Sequence, residues 1–205
     1  MAMRVDVAVE NIQGIAIDML NLASVNQKLG RLQEAHAYLD ALLQDEAVQY
    51  GSAYLAAAAT QKALLLLQQG ESSDVRSWLD KAEGWCVSEC RLKRAIDNAR
   101  AALALHEKDY DGALHWAERA ASASRGDDPL EHANAMRYMS EARLARSEFD
   151  LALRLASDTL ALDKTLGLPE KIKQDLLLSA RAYEGQGNAV QAKHFRERAS
   201  RIVVR

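Results

Sequence analysis

The chain has 205 residues, 49% of them apolar and only 5% aromatic, with two Pro and a formal charge of −3 at pH 7. That length buries a real core, either as one large domain or as two small ones, and an Ala- and Leu-rich make-up suits closely packed helices rather than sheets. With a pI near 6.0, the chain as a whole carries no electrostatic footprint for nucleic acid, and no apolar run reaches the length that spans a bilayer.

The opening MAMRVDVAVENIQ lacks the basic start, apolar stretch and small-residue cleavage site of a signal peptide. The protein is therefore expected in the cytoplasm, or in the periplasm if an export signal has been removed. From there the elements follow a rhythm. First helices are predicted near 8–28, 51–69, 89–107, 130–146 and 171–185, and second helices near 32–46, 73–86, 110–124, 149–163 and 189–203.

The rhythm is clearest in KLGRLQEAHAYLDAL. Taking Ala35 as an anchor, equivalent positions are Val75, Ala113, Ala152 and Ala192, at intervals of 40, 38, 39 and 40 residues. Three residues after each anchor stand Tyr38, Trp78, Trp116, Leu155 and Phe195, large in every copy. Twelve before it stand Ala23, Ala63, Ala101, Ser140 and Ala180, small in every copy. A period this steady marks a repeat. Small residues at anchor −12 let the two helices of a hairpin approach closely. Positions 0, +4 and +7 share a face of the second helix. Gly30, Gly70 and Gly187, five before their anchors, stop the first helix. Ser147 with Asp150, and Asn188 with Gln191, have the spacing of capping boxes. SRGDDPLEH, with Gly126 and Pro129, reads as a repeat boundary because the period passes through it.

Each hairpin leaves an apolar side unburied, so neighbours must stack. The expected fold is an all-α solenoid of about five helix–turn–helix repeats, in one domain spanning 1–205. The repeats fall near 8–47, 51–87, 89–125, 130–165 and 171–204. Neither end carries the polar capping element that solenoids need. The chain is thus expected to be part of something longer, or covered at its ends by a partner or a second copy.

Leu22, Ala23, Gly30, Leu32, Ala35 and Leu39 agree with the tetratricopeptide repeat (TPR) pattern, and YDGALHWAERA and FDLALRLASDTLALD carry it further. The chain resembles that family. Its period near 39 is similar to kinesin-light-chain-type and bacterial regulatory variants. Lys62, Arg100 and Ser179 depart from the pattern where Leu is usual, and Lys108 and Ser147 where Gly is usual. The resemblance implies a right-handed α-α superhelix whose first helices line a concave groove, with ligand contacts at anchor −18, −15, −11 and −8. Carried over residue by residue, the partner-binding positions are Thr60, Leu64 and Leu67 in repeat 2, and Asn98 in repeat 3. Repeat 4 adds Asn134, Arg137 and Glu141; repeat 5 adds Gln174 and Arg181. Arg137 and Arg181 would meet a partner's carboxylates unless each pairs with the Glu on its own helix, Glu141 or Glu184. The Lys/Asn clamp of chaperone-tail binders is absent, since Leu20 and Ser24 hold its first positions.

Cys86 and Cys90 lie four apart. In a continuous helix their Cβ atoms would be too far apart for a disulfide, although a repeat junction falls there. Two reduced thiols are the expectation. His106 and His115 lie on different helices of repeat 3 and read as solvated or half-buried side chains rather than metal ligands or acid–base groups. Trp78 and Trp116 read as packing residues. The basic run Lys193, Arg196, Arg198, Arg201 and Arg205 reads as a solvated terminal helix with cations near its C-terminus. No phosphate-cradling loop or nucleophile elbow occurs. The expected function is a non-enzymatic scaffold for a protein or peptide partner, with no cofactor, no metal and no nucleic acid. The alternatives are the effector-sensing part of a bacterial regulator and an assembly factor of the cell envelope.

Overall fold

A computed structural model describes residues 12–44, 51–87, 90–123 and 128–203. Among these residues the chain forms ten helices: α1 Ile12–Lys28, α2 Leu32–Leu43, α3 Ser52–Gln68, α4 Val75–Trp85, α5 Lys93–His106, α6 Tyr110–Ala123, α7 Pro129–Ala145, α8 Phe149–Leu166, α9 Pro169–Gly185 and α10 Ala189–Ser200. The predicted helices are all present, with ends shifted by a few residues; predicted helical positions 8–11, 45, 46, 89 and 124 lie outside the described residues.

The chain divides into two compact units, Met1–Ala99 and Arg100–Arg205, with the boundary inside α5. In the first unit α1 packs on α2 and α3 on α4, while α3 also touches both α1 and α2. In the second, α7 packs on α8 and α9 on α10, with α8 against α9 and the first helices α7 and α9 side by side. This is helix pairing in sequence order, the arrangement of a TPR-like repeat.

One corner closes all five first helices. Gly30, Gly70 and Gly187 have φ of 73°, 78° and 74°, and Lys108 and Ser147 both have φ of 62°. The residue after each corner donates its N–H back to a carbonyl of the last helical turn: Arg31 to Asn26 (2.9 Å), Glu71 to Leu66 (3.0 Å), Asp109 to Ala104 (2.8 Å), Glu148 to Arg143 (2.9 Å) and Asn188 to Tyr183 (2.9 Å). These are Schellman closures, which satisfy carbonyls a helix end otherwise orphans. Ser147 is accordingly the left-handed corner of α7, not the expected cap of α8; that N-cap is Glu148, which makes no side-chain cap bond. The Asn188 cap forms as expected, its side chain accepting from the Gln191 N–H at 3.1 Å. Asp128 also caps α7, accepting from the Glu131 N–H at 3.1 Å with Pro129 in the first turn.

The repeat register is a burial register. Ala35, Val75, Ala113, Ala152 and Ala192 are buried, and so are Ala23, Ala63, Ala101, Ser140 and Ala180. Ser140 reports the closeness of the crossing, for its hydroxyl donates to the carbonyl of the anchor Ala152 at 2.8 Å. The large residues at anchor +3 are half-buried. Two departures from the TPR pattern gain an explanation here. Lys62 lies over the Trp78 ring at 4.6 Å and Arg100 over the Trp116 ring at 5.1 Å, so each cation sits where a Leu would pack and meets the aromatic of its own repeat through its π face.

The cysteines are bonded to each other, contrary to the expectation of two thiols. Helix α4 ends at Trp85, and Cys86 leaves helical geometry with ψ of 66°. The geometry of a continuous helix therefore does not apply at this point, and the Cα atoms stand 5.3 Å apart, within reach of a bridge.

Candidate partner-binding face

On α7, Asn134, Arg137 and Glu141 are spaced three and four apart, which puts them on one side of the helix; Gln174 and Arg181, seven apart, align in the same way on α9. The first helices α7 and α9 are neighbours, so this side of the second unit is a polar strip. Gln174 and Arg181 are exposed, whereas Asn134 and Glu141 are half-buried.

Arg137 is placed differently from the expectation of a free guanidinium. It is 4% exposed, and its guanidinium is engaged by two acids and an amide of this chain. Nε donates to Asp175 at 2.9 Å, one terminal nitrogen donates to Asn134 Oδ1 at 3.0 Å, and the other binds Asp163. Asp163 on α8 and Asp175 on α9 are both 0% exposed. The simpler sequence reading, each Arg with its own Glu, is not what forms either: the structure pairs Glu184 with Arg196.

Burial, together with the neighbouring Asp163 carboxyl, pushes Asp175 up to about 7 despite the opposing guanidinium of Arg137. Burial also raises Glu141, against the charges of Arg181, Arg137 and Lys171. It lowers Lys171, with Arg137 adding to the effect. Tyr138 is pushed up to about 12 by burial, with Glu141 and Glu131 adding to it, so the phenol stays protonated throughout the neutral range.

In the first unit, Thr60 is buried and donates to the Ala56 carbonyl at 2.7 Å. Asn98 is also buried, leaving Leu64 and Leu67 as half-buried apolar contributors. His106 and His115 are exposed, and no group of three His, Cys, Asp or Glu side chains among the described residues is arranged to hold a metal. No helix among those residues is long and apolar enough to cross a membrane.

Sequence reasoning missed Asp163 and Asp175. A signal existed for the second: it stands at anchor −17, where repeats 2 to 4 carry Ala58, Ile96 and Ala135, all buried. An acid in an apolar register position needs a partner, and Arg137 is that partner. Asp163 lies near the end of α8, where the repeat offers no comparable contrast.

No protein-family model matches the sequence, and no curated protein matches it. Solved structures do. BtubC (BKLC) from P. vanneervenii, seen by crystallography, superposes with a TM-score of 0.71 at 17% identity, covering 98% of this chain and 85% of that one. A Podosopora anserina protein assigned as a kinesin light chain, with nearly identical TPR-like repeats, superposes at 0.57 with 18% identity, covering 90% of this chain and 93% of that one. A substituted form of that same protein gives 0.59 at 17%, covering 90% and 92%. The chain has the TPR-like repeat fold of these structures, the long-period kinesin-light-chain-like form that the spacing and residue pattern led us to expect.

Proposed function

We propose that this chain is a non-enzymatic protein-interaction scaffold that binds a peptide or partner helix along its first helices. The observation that carries the reading is the polar strip on α7 and α9, where Gln174 and Arg181 are exposed beside half-buried Asn134 and Glu141. Arg137 supports the strip from beneath and leaves the contact with a partner's carboxylate to Arg181. In the first unit, taken by itself, Leu64 and Leu67 are the half-buried apolar positions offered to a partner. The test is capture of the native partner by Arg181→Glu and Gln174→Ala chains, with circular dichroism as a check on folding. Loss of tenfold or more in affinity for Arg181→Glu, about 1.4 kcal/mol, is the expected result. Undiminished capture by a folded variant would remove the strip from the interface.

A second reading, a sensor for a small effector, is favoured by one feature. Helices α8, α9 and α10 enclose a cleft of about 330 Å³ lined in part by Ser157, Tyr183, Phe195, Lys164 and Arg198. Its size is at the lower end of small-molecule sites, and its two cations suit an anionic effector. Thermal-shift measurements with carboxylates and phosphate esters separate the two readings, because Lys164→Ala would abolish such a shift and leave protein capture unchanged. The Cys86–Cys90 bond supports an oxidising compartment, the periplasmic alternative among the expected locations.

A further inference from the structure

We propose that Asp163 and Asp175 form a proton-binding site that ties α7, α8 and α9 together, so that the packing of the second unit loosens when the shared proton leaves. Two fully buried carboxylates face one buried guanidinium, Arg137. Each acid gives one oxygen to that guanidinium, while Asp163 Oδ1 and Asp175 Oδ2 are buried without a hydrogen-bond partner. An unpaired buried acceptor is costly, and two adjacent carboxylates resist ionising together. One proton answers both problems, since it neutralises one acid and supplies the donor that the orphaned oxygens lack.

The surrounding groups do not replace it. From α7, Glu131 and Glu141 are acids that act on Tyr138 and supply no donor, and Asn134 turns its amide towards Glu131 at 3.4 Å. Tyr138, also on α7, is neutral. From α9, Ser179 donates to the Asp175 backbone carbonyl at 2.9 Å and not to the carboxyl. Lys171, also on α9, feels Asp163 favourably, but burial and Arg137 act against its charge. Arg181 is exposed and acts on Glu141. From α8, the acid that faces Asp175 and Arg137 is Asp163, the other member of the pair.

The sign follows from linkage. A carboxyl raised from its ordinary value to about 7 in the folded chain holds a proton that the unfolded chain has released. Its stabilisation is complete below the ordinary carboxylate range. It declines as pH rises between the two values, and is gone once pH has risen through the folded one.

Hydrogen exchange of the full chain, read by mass spectrometry on peptides from α7, α8 and α9 and corrected for the intrinsic exchange rate, tests this. Protection should fall about tenfold per pH unit between roughly pH 5 and 7, then level off. Asp175→Asn carries a permanent donor in place of the proton and should flatten that dependence. Glu141 is also raised and would act with the same sign, so Glu141→Gln is the control and should keep most of the decline. The same decline in Asp175→Asn as in the wild type would overturn the proposal. Should Asp175→Asn fail to fold, infrared spectra of the wild type decide: a protonated-carboxyl band present near pH 6 and lost above about pH 8 supports the site, and its absence near pH 6 refutes it.

Discussion

At Lys108 and Ser147 an L-residue occupies the left-handed corner that Gly fills in the other three repeats. The side chain there crowds the following carbonyl at a cost of roughly 1–2 kcal/mol, while Gly carries a larger entropy loss on folding, offsetting part of the gain. Lys108→Gly and Ser147→Gly should each stabilise the chain by about 0.5–1 kcal/mol, and Gly70→Ala should cost about 1 kcal/mol, all readable as shifts in urea midpoint. Arg137 is the opposite case, a residue whose removal sets its neighbours against each other. Arg137→Met leaves Asp163 and Asp175 buried without their cation and should cost about 3–5 kcal/mol near pH 8. Adding Asp163→Leu and Asp175→Leu should recover most of it, because an apolar cluster of similar volume needs no partner. A triple variant no more stable than the single one would mean that the charges are not the source of the loss.

Between elements, what decides the packing is how near two helices come. Ala101 on α5 and Ala180 on α9 are fully buried at anchor −12, so Ala101→Leu or Ala180→Leu should overpack its hairpin by roughly 1–3 kcal/mol. A thermal melt unchanged by either would show that the crossing has room to spare. The link that follows α4 is covalent as well as packed. Freshly purified protein should give no thiol labelling at Cys86 or Cys90 until a reductant is added. The bond spans only four positions in sequence, so reduction should weaken the first unit by no more than roughly 2 kcal/mol on the chain-entropy account.

Across the whole molecule, the periodic features were legible and the singular ones were not. Ala101, Trp116 and Gly187 recur as types at fixed offsets, and each repeat corroborates the others, so the helices, their pairing and their buried faces could be read from spacing alone. Arg137 sat at a position that the TPR resemblance marks as a ligand contact, and nothing local showed that its guanidinium was already engaged. That required knowing that residue 163 of one helix and residue 175 of the next converge on it. Such a meeting is fixed by three-dimensional packing and is written in no single repeat. The Cys86–Cys90 bond departs from the expectation of two thiols for a related reason. A continuous helix would have held the two sulfurs apart, and the end of α4 at Trp85 decides the geometry instead.

The left-handed corners at 30, 70, 108, 147 and 187 also bear on how such a chain can change length. Every segment from one corner to the next enters and leaves through the same backbone geometry, so the segments behave as interchangeable cassettes. Excising Arg31–Gly70 would join α1 to α4 through an unchanged turn, and the anchor −12 alanine Ala23 would face Val75 in place of Ala35. That shortened chain should keep its helical signal per residue by circular dichroism. A deletion of equal size begun half a helix later would join unlike faces and should unfold the first unit. Gene duplication working on corner boundaries could thus add or remove hairpins while the crossing of each remaining pair stayed the same.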